Sequence, residues 1–390
     1  MRALAYYSVR DLIPLYAVYA LLFADYGLST GEISSLFVIW SVTAFVAEIP
    51  SGAWADTIPR RFLLALSPVV YGAGFTTWIL APGYAGFAVG FVLWALSSAL
   101  MSGTYEAYVY DELVEHGARH AYPRLVGFAH SLAMVCNLVA TFAAAPLMML
   151  GGYELVGWVS VAFALVQFVV ALTLPPTQCA MSSDVQTRDH IGRRYVRVLT
   201  SGLAEVRRVA TVRHGVLLMA LLLGTTAYDE YFPLVALDKG AGVADVPVLV
   251  GVIVVGQAIG TALAGRAARL SAVTIGVLTG IAGILLVVGA SLALPLAFVA
   301  VGLGYGLVGN VSIVAEARLQ DAIEGDARAT VTSAVGFSSE LVAVGIFALF
   351  AALSTRLSES ASFGIVSVLV LVVAVLIPGW LPRAATRVRE

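Results

Sequence analysis

The hydrophobic pattern of this chain is neither the alternation of a half-buried strand nor the one-faced stripe of a helix in a soluble protein. Apolar residues run on for about 20 positions at a time, the length that crosses a bilayer as a helix, and break at charges, glycine or proline. The breaks predict twelve spans, near 5–27, 31–55, 62–81, 84–110, 124–150, 155–174, 214–236, 246–268, 272–290, 294–318, 330–353 and 361–381. One polar stretch, Pro175 to Arg213, divides them six against six. Its part from Tyr195 onward reads equally well as an amphipathic surface helix or a linker. The expected organisation is an N-terminal six-helix bundle over 1–175, a cytoplasmic linker over 176–213, and a C-terminal six-helix bundle with a short tail over 214–390.

Composition agrees. The 390 residues are 60% hydrophobic and 12% charged, with a mean hydropathy of +0.93. A soluble domain is about 45–50% apolar and about 25% charged, and a soluble fold lacks the polar residues to cover so much apolar surface. A soluble enzyme, a disordered chain and a nucleic-acid binder are thereby excluded. Met1 to Arg10 leads straight into a span with no small-residue cleavage site. Cys136 and Cys179 support neither a disulfide nor a metal site.

Charge sets the expected orientation. With the amino terminus inside, twenty of the 22 Arg and Lys residues fall on the cytoplasmic side, and Lys239 and Arg356 on the other. By the positive-inside rule both termini and the linker are cytoplasmic, and the span count is even.

The halves resemble each other. Residues 115–132, shifted by 209, match 324–341 at seven of eighteen positions: Glu115, Ala118, Arg119, Val126, Gly127, Phe128 and Leu132 recur as Glu324, Ala327, Arg328, Val335, Gly336, Phe337 and Leu341. Six spans per half make the repeat parallel, an arrangement in which substrate binds near mid-membrane.

Span 2 ends Glu48-Ile-Pro50-Ser51-Gly52-Ala-Trp-Ala-Asp56-Thr-Ile-Pro59-Arg60-Arg61. This resembles the loop signature of the major facilitator superfamily, Gly-x-x-x-Asp-x-x-Gly-Arg-Arg/Lys, with Pro59 in place of the second Gly. The preceding Glu-x-Pro-Ser/Thr-Gly is similar to a sub-branch of drug and metabolite efflux permeases. The resemblance implies an all-α membrane protein of twelve transmembrane helices in two pseudo-symmetric six-helix bundles. It implies a gating role for Gly52, Asp56, Arg60 and Arg61; by the residues alone, Arg60 and Arg61 could be topology determinants. The second half keeps Gly260 and Arg269 of this motif, with Ala264 in place of the acid. Two features of efflux members are absent: span 4 has no Arg, and Ala145-Pro146 to Gly151 only loosely echoes Gly-Pro-x-x-Gly.

Ionisable residues inside a bilayer are costly, and are retained where they pair, face water or work. Burial disfavours the charged form of a carboxyl group, so such an acid can take a proton from one side and release it to the other or to an arriving cation. Glu340, Glu106, Glu48, Asp229 and Glu230 are the proton-coupling candidates. Glu106 closes a stripe with Ser98 and Ser102, and Asp111 follows at the end of span 4. The alternative is neutralisation by arginine, for which Arg10, Asp11, Glu316 and Arg318 are the charge-pair candidates, with Arg119 near Asp111. Trp40, Trp94, Tyr105, Tyr108 and Tyr228 are candidates for a cation-binding cavity.

Other patterns carry less. Gly304-x-Gly306-x-x-Gly309 sits in an apolar span without a preceding strand, so helix packing explains it, as it does Gly256/Gly260 and Gly276/Gly280. His116 and His120 belong to a cytoplasmic loop. No catalytic constellation, metal site or cofactor is expected. The expected activity is proton-coupled efflux of a small amphipathic or cationic compound by a monomer in the cell membrane. The rivals are a proton symporter or facilitator for nutrient uptake and, more remotely, a membrane-embedded enzyme.

Overall fold

A computed structural model of the chain describes residues 1–176, 209–323 and 328–383. Among the described residues the chain is helical, without strands. The helices are α1 (Arg2–Arg10), α2 (Tyr19–Asp25), α3 (Thr30–Thr57), α4 (Arg60–Leu80), α5 (Tyr84–Met101), α6 (Thr104–Glu115), α7 (Tyr122–Leu172), α8 (Ala210–Thr225), α9 (Phe232–Asp238), α10 (Val246–Ala262), α11 (Ala264–Ala267), α12 (Ala272–Ser291), α13 (Leu296–Ala322), α14 (Arg328–Ser354) and α15 (Glu359–Trp380).

These elements resolve into twelve crossings. Ten stretches are long and apolar enough to span, and α10 is a shorter apolar helix. The twelfth crossing comes from α7. As one straight helix, α7 would be about 77 Å long at 1.5 Å per residue, far more than a bilayer core. It is interrupted at Gly151 and Gly152, where Gly152 takes φ +59, a left-handed conformation that glycine adopts without strain. Spans 5 and 6 are its two limbs.

Backbone contacts divide the chain into two compact units, the first centred on α1–α7 and the second on α8–α15. Their internal packing is alike. In the first, span 1 packs on α7, α3 on α5, and α4 on both α5 and α7. In the second, α8 packs on α14, and α12 on both α13 and α15. The α10–α13 crossing is the counterpart of α3–α5. A Cβ at Gly256 would strike the backbone of Gly302, and one at Gly260 that of Gly306. The glycines of span 10 are thus a helix-packing face.

Where no water reaches the backbone, its polar groups must be satisfied internally. Caps do this at the span ends. Ser29 and Glu32 form a capping box on α3. Ser271 accepts from the Thr274 amide on α12, and Ser358 from that of Ala361 on α15. Such caps contribute about 1 kcal/mol each. Lys239, beyond the end of α9, donates to the carbonyls of Ala290 (2.7 Å) and Leu292 (2.8 Å) at the end of α12. Exposed apolar residues such as Leu80, Leu150 and Val375 face outward, as lipid contact requires.

Candidate functional site

Two spans of the first unit are broken, and a cavity lies beside the breaks. Span 1 stops at Arg10, passes through a 3₁₀ turn at Pro14–Ala17, and resumes as α2. Proline lacks the amide hydrogen that would continue the helix. Span 4 stops at Met101; Gly103, at φ +68, begins a new helix at Thr104. The end of α1 is tied to span 4, because Arg10 Nη2 donates to Ser98 Oγ at 3.2 Å.

The cavity has a volume of about 330 Å³, and its lining includes Tyr7, Arg10, Trp40, Glu48, Ser102 and Glu106. That is the lower end of the range of small-molecule sites, about 300–1,000 Å³. Ser102, released from helical geometry at the break, donates to Glu48 Oε1 at 3.0 Å. Glu106 Oε2 and Trp40 Nε1 are buried with no hydrogen-bond partner. Tyr7 lies against Tyr105 and His130, with ring centroids 4.7 and 4.9 Å apart. Tyr71 donates to the Arg10 carbonyl at 2.8 Å, fixing the backbone at the first break. The site therefore offers two acids, one cation, an indole donor and an aromatic wall.

The second unit has a break in the corresponding span. α8 ends at Thr225, a 3₁₀ segment covers Thr226–Tyr231, and α9 follows with Pro233 in its first turn. Asp229 and Glu230 sit in this segment. Tyr305, on α13, donates to Asp229 Oδ2 at 2.5 Å. The Tyr228 hydroxyl is buried without a partner, its ring packed edgewise on Tyr305 and Phe363. Interrupted helices at matching positions of two repeats expose backbone groups and are a recurrent feature of transporter binding sites.

Of the sequence candidates, Trp40, Glu48, Glu106 and Arg10 come together in one cavity, while Asp229, Glu230 and Tyr228 share the span 7 break. Tyr105 and Tyr108 are buried and donate to the carbonyls of Ala3 (3.2 Å) and Pro175 (3.0 Å), so their hydroxyls tie helices together instead of lining the cavity. Trp94 stacks on Tyr16 at 5.0 Å. Asp111 pairs with Arg60, and Arg119 lies over the Tyr110 ring instead. Arg61 donates to the Leu172 carbonyl at the end of α7. Gly52 and Asp56 lie on α3, and the Asp56 side chain is outside what is described. Arg318 donates to backbone carbonyls of Ala268 and Leu270; Glu316, two residues away on α13, is exposed, and Asp11 is half-buried beside the first break. Glu340 is half-buried on α14. Tyr71, His130 and Tyr305 escaped the sequence reading. Each stands alone in an apolar stretch, and its partner is more than 60 residues away.

The Major Facilitator Superfamily family model matches residues 3–346. The chain belongs to the major facilitator superfamily. No curated protein matches by sequence. Among solved structures, this facilitator is similar to a bacterial homologue of the human lysosomal transporter Spinster in an inward-facing, unoccupied conformation. The TM-score is 0.75 and the identity 15%, over 96% of this chain and 95% of that one. It is also similar to a D-xylose-proton symporter (TM-score 0.73, 13% identity, 98% and 96% covered) and to the nucleoside transporter NupG (0.72, 12%, 97% and 98%). At such identities the likeness shows the fold. The facilitator is a multi-pass secondary membrane transporter for small molecules.

Proposed function

We propose that this transporter exports a small amphipathic or cationic compound across the cytoplasmic membrane in exchange for protons, with both termini in the cytoplasm. The observation that carries this reading is the acid-lined cavity at the span 4 break. Glu106 places a buried carboxyl oxygen there without a protein donor, beside the Ser102–Glu48 hydrogen bond and the Trp40 ring. A cation entering this space supplies the missing partner for a carboxylate, and an aromatic wall favours a cation that is partly apolar. When the cation leaves, a proton can take its place on the same oxygen. One acid then serves the two ions alternately, which is the chemistry of exchange.

Gly52, Asp56, Arg60 and Arg61 are proposed to govern the change between inward and outward access. Arg60 and Arg61 anchor the start of α4 on Asp111 and on the end of α7, so the loop is tied to its own bundle as a rigid lever. Residues 1–175 and 214–381 are proposed as the two bodies that rock. Asp229 and Glu230, with Glu340, form the second set of coupling candidates.

Thermal stabilisation of the purified transporter across a panel of organic cations, sugars and nucleosides tests the substrate class. Stabilisation by aromatic cations that is lost in Glu106→Gln supports the reading. Stabilisation by sugars or nucleosides alone contradicts it and favours uptake.

A further inference from the structure

The second unit holds a larger cavity that shares no residue with the acid-lined one. It measures about 900 Å³ and lies where α8 begins and α15 ends. His214, Arg269, Ser271, Arg318, Trp380 and Arg383 line it, and among the described residues no carboxylate does. Three fixed cations sharing one space repel each other unless an anion joins them.

The cations are placed by the fold. Arg318 is only 5% exposed. Its Nη2 donates to the carbonyls of Ala268 (3.1 Å) and Leu270 (2.5 Å), and its buried Nε has no partner. Ser271 caps α12, a 20-residue helix whose first turn borders the same cavity. The positive end of a helix dipole and its unsatisfied amides favour an anion there. The His214 ring stacks flat on Trp380, with centroids 5.4 Å and planes 6° apart, forming one wall.

The internal repeat explains the missing counter-ion. The second copy of the span 2–3 motif keeps Arg269 and has Ala264 in place of Asp56, and Gln320 stands at the offset-209 position of Asp111. The first unit neutralises Arg60 with Asp111. In the second, Gln320 donates to Thr332 Oγ1 at 3.0 Å and carries no charge. The second half keeps a cation of the motif and has lost both acids, so among the described residues no acid of the repeat offsets the arginines of this cavity.

We infer that this cavity binds a phosphate group, from either an anionic phospholipid headgroup or a soluble phosphate compound. Guanidinium forks match phosphate oxygens in charge and geometry, and the cavity lies at the arginine-rich end of the bundle. This site is independent of the transport reading given above.

The test uses the full-length protein in a neutral detergent. Native mass spectrometry with dilauroyl phosphatidylglycerol against dilauroyl phosphatidylcholine reads the lipid arm, and thermal unfolding with inorganic phosphate reads the soluble arm. Arg269 and Arg383 are exposed, so the R269Q/R383Q double variant spares the buried Arg318, and R269K/R383K keeps the charge. The expected result is saturable binding of phosphatidylglycerol or inorganic phosphate, weakened about tenfold or more in the Gln variant, the scale of one lost charge-assisted hydrogen bond, and largely retained in the Lys variant. Binding of phosphatidylglycerol alone identifies a lipid site; binding of phosphate as well identifies a soluble ligand. Equal retention of both lipids with no phosphate effect overturns the inference, as does binding unchanged in the Gln variant.

Discussion

Ser102 donates to Glu48 at 3.0 Å, joining two residues 54 positions apart at the one place where span 4 loses its helical path. Gly103 makes the bond available. Its left-handed conformation ends α5 one residue earlier, so the Ser102 hydroxyl turns to a carboxylate instead of to its own helix. Gly103→Ala should strain this turn by about 1 kcal/mol and loosen the Glu48 contact. A measurable fall in apparent Tm together with weakened substrate stabilisation is expected; an unchanged transporter would remove the break from the site.

Glu106→Gln should abolish the dependence of transport on a proton gradient while leaving substrate exchange at equilibrium intact. Gln keeps the shape and loses the exchangeable charge. Glu48→Gln should keep a hydrogen bond to Ser102 and have the smaller effect. Vesicle flux with and without an imposed gradient separates the two. Full gradient dependence in Glu106→Gln would show that coupling resides elsewhere, with Asp229, Glu230 and Glu340 next in line.

Tyr305→Phe removes the donor that holds Asp229. A hydrogen bond to a charged group contributes about 1.5–3 kcal/mol, so transport is expected to fall about tenfold or more if Asp229 acts as an anion. Tyr228→Phe removes a hydroxyl that has no protein partner, and should leave stability unchanged. A Tyr305→Phe variant with wild-type transport would make Asp229 structural or idle.

The Arg60–Asp111 pair is half-buried, between the surface and interior limits for ion pairs. Asp111→Asn is expected to destabilise the first bundle by about 1–3 kcal/mol, read as a lower apparent Tm. Gly260→Val should be more damaging, because its Cβ would enter the Gly306 backbone and neither helix can yield cheaply. Misfolded or unexpressed Gly260→Val beside well-folded Gly265→Val, where the space is open, is the contrast to look for.

Much of the fold is legible because lipid imposes a simple code. Twenty apolar residues between breaks mean a span, so the crossings follow from hydropathy, including the two limbs of α7 on either side of Gly151 and Gly152. Its fold-back at the double glycine was expected for the same reason. The breaks within spans 1, 4 and 7 were not legible. Pro14, Ser102-Gly103 and Thr225-Thr226 leave the hydropathy intact, so a chemical discontinuity in the backbone hides inside a continuous apolar run. The acids were legible as outliers in an apolar background, and Glu48, Glu106, Asp229 and Glu230 do sit at breaks or beside them. Their partners were not. Depth along the membrane suggested Arg119 for Asp111, whereas helix rotation brings Arg60 to it. Tyrosines divide in the same way. Tyr105 and Tyr108 look alike to Tyr228 in sequence, but rotation gives the first two a backbone carbonyl to bind and leaves the third with none.

The central claim is exchange of a cation against protons on a shared acid in the first bundle. Its most direct test is proton flux in proteoliposomes loaded with pyranine, with ethidium as the aromatic cation. An imposed ethidium gradient should drive protons the opposite way in the wild type, and Glu106→Gln should carry ethidium with no proton movement. Protons moving with ethidium, or opposing proton flow that survives in Glu106→Gln, would contradict the account.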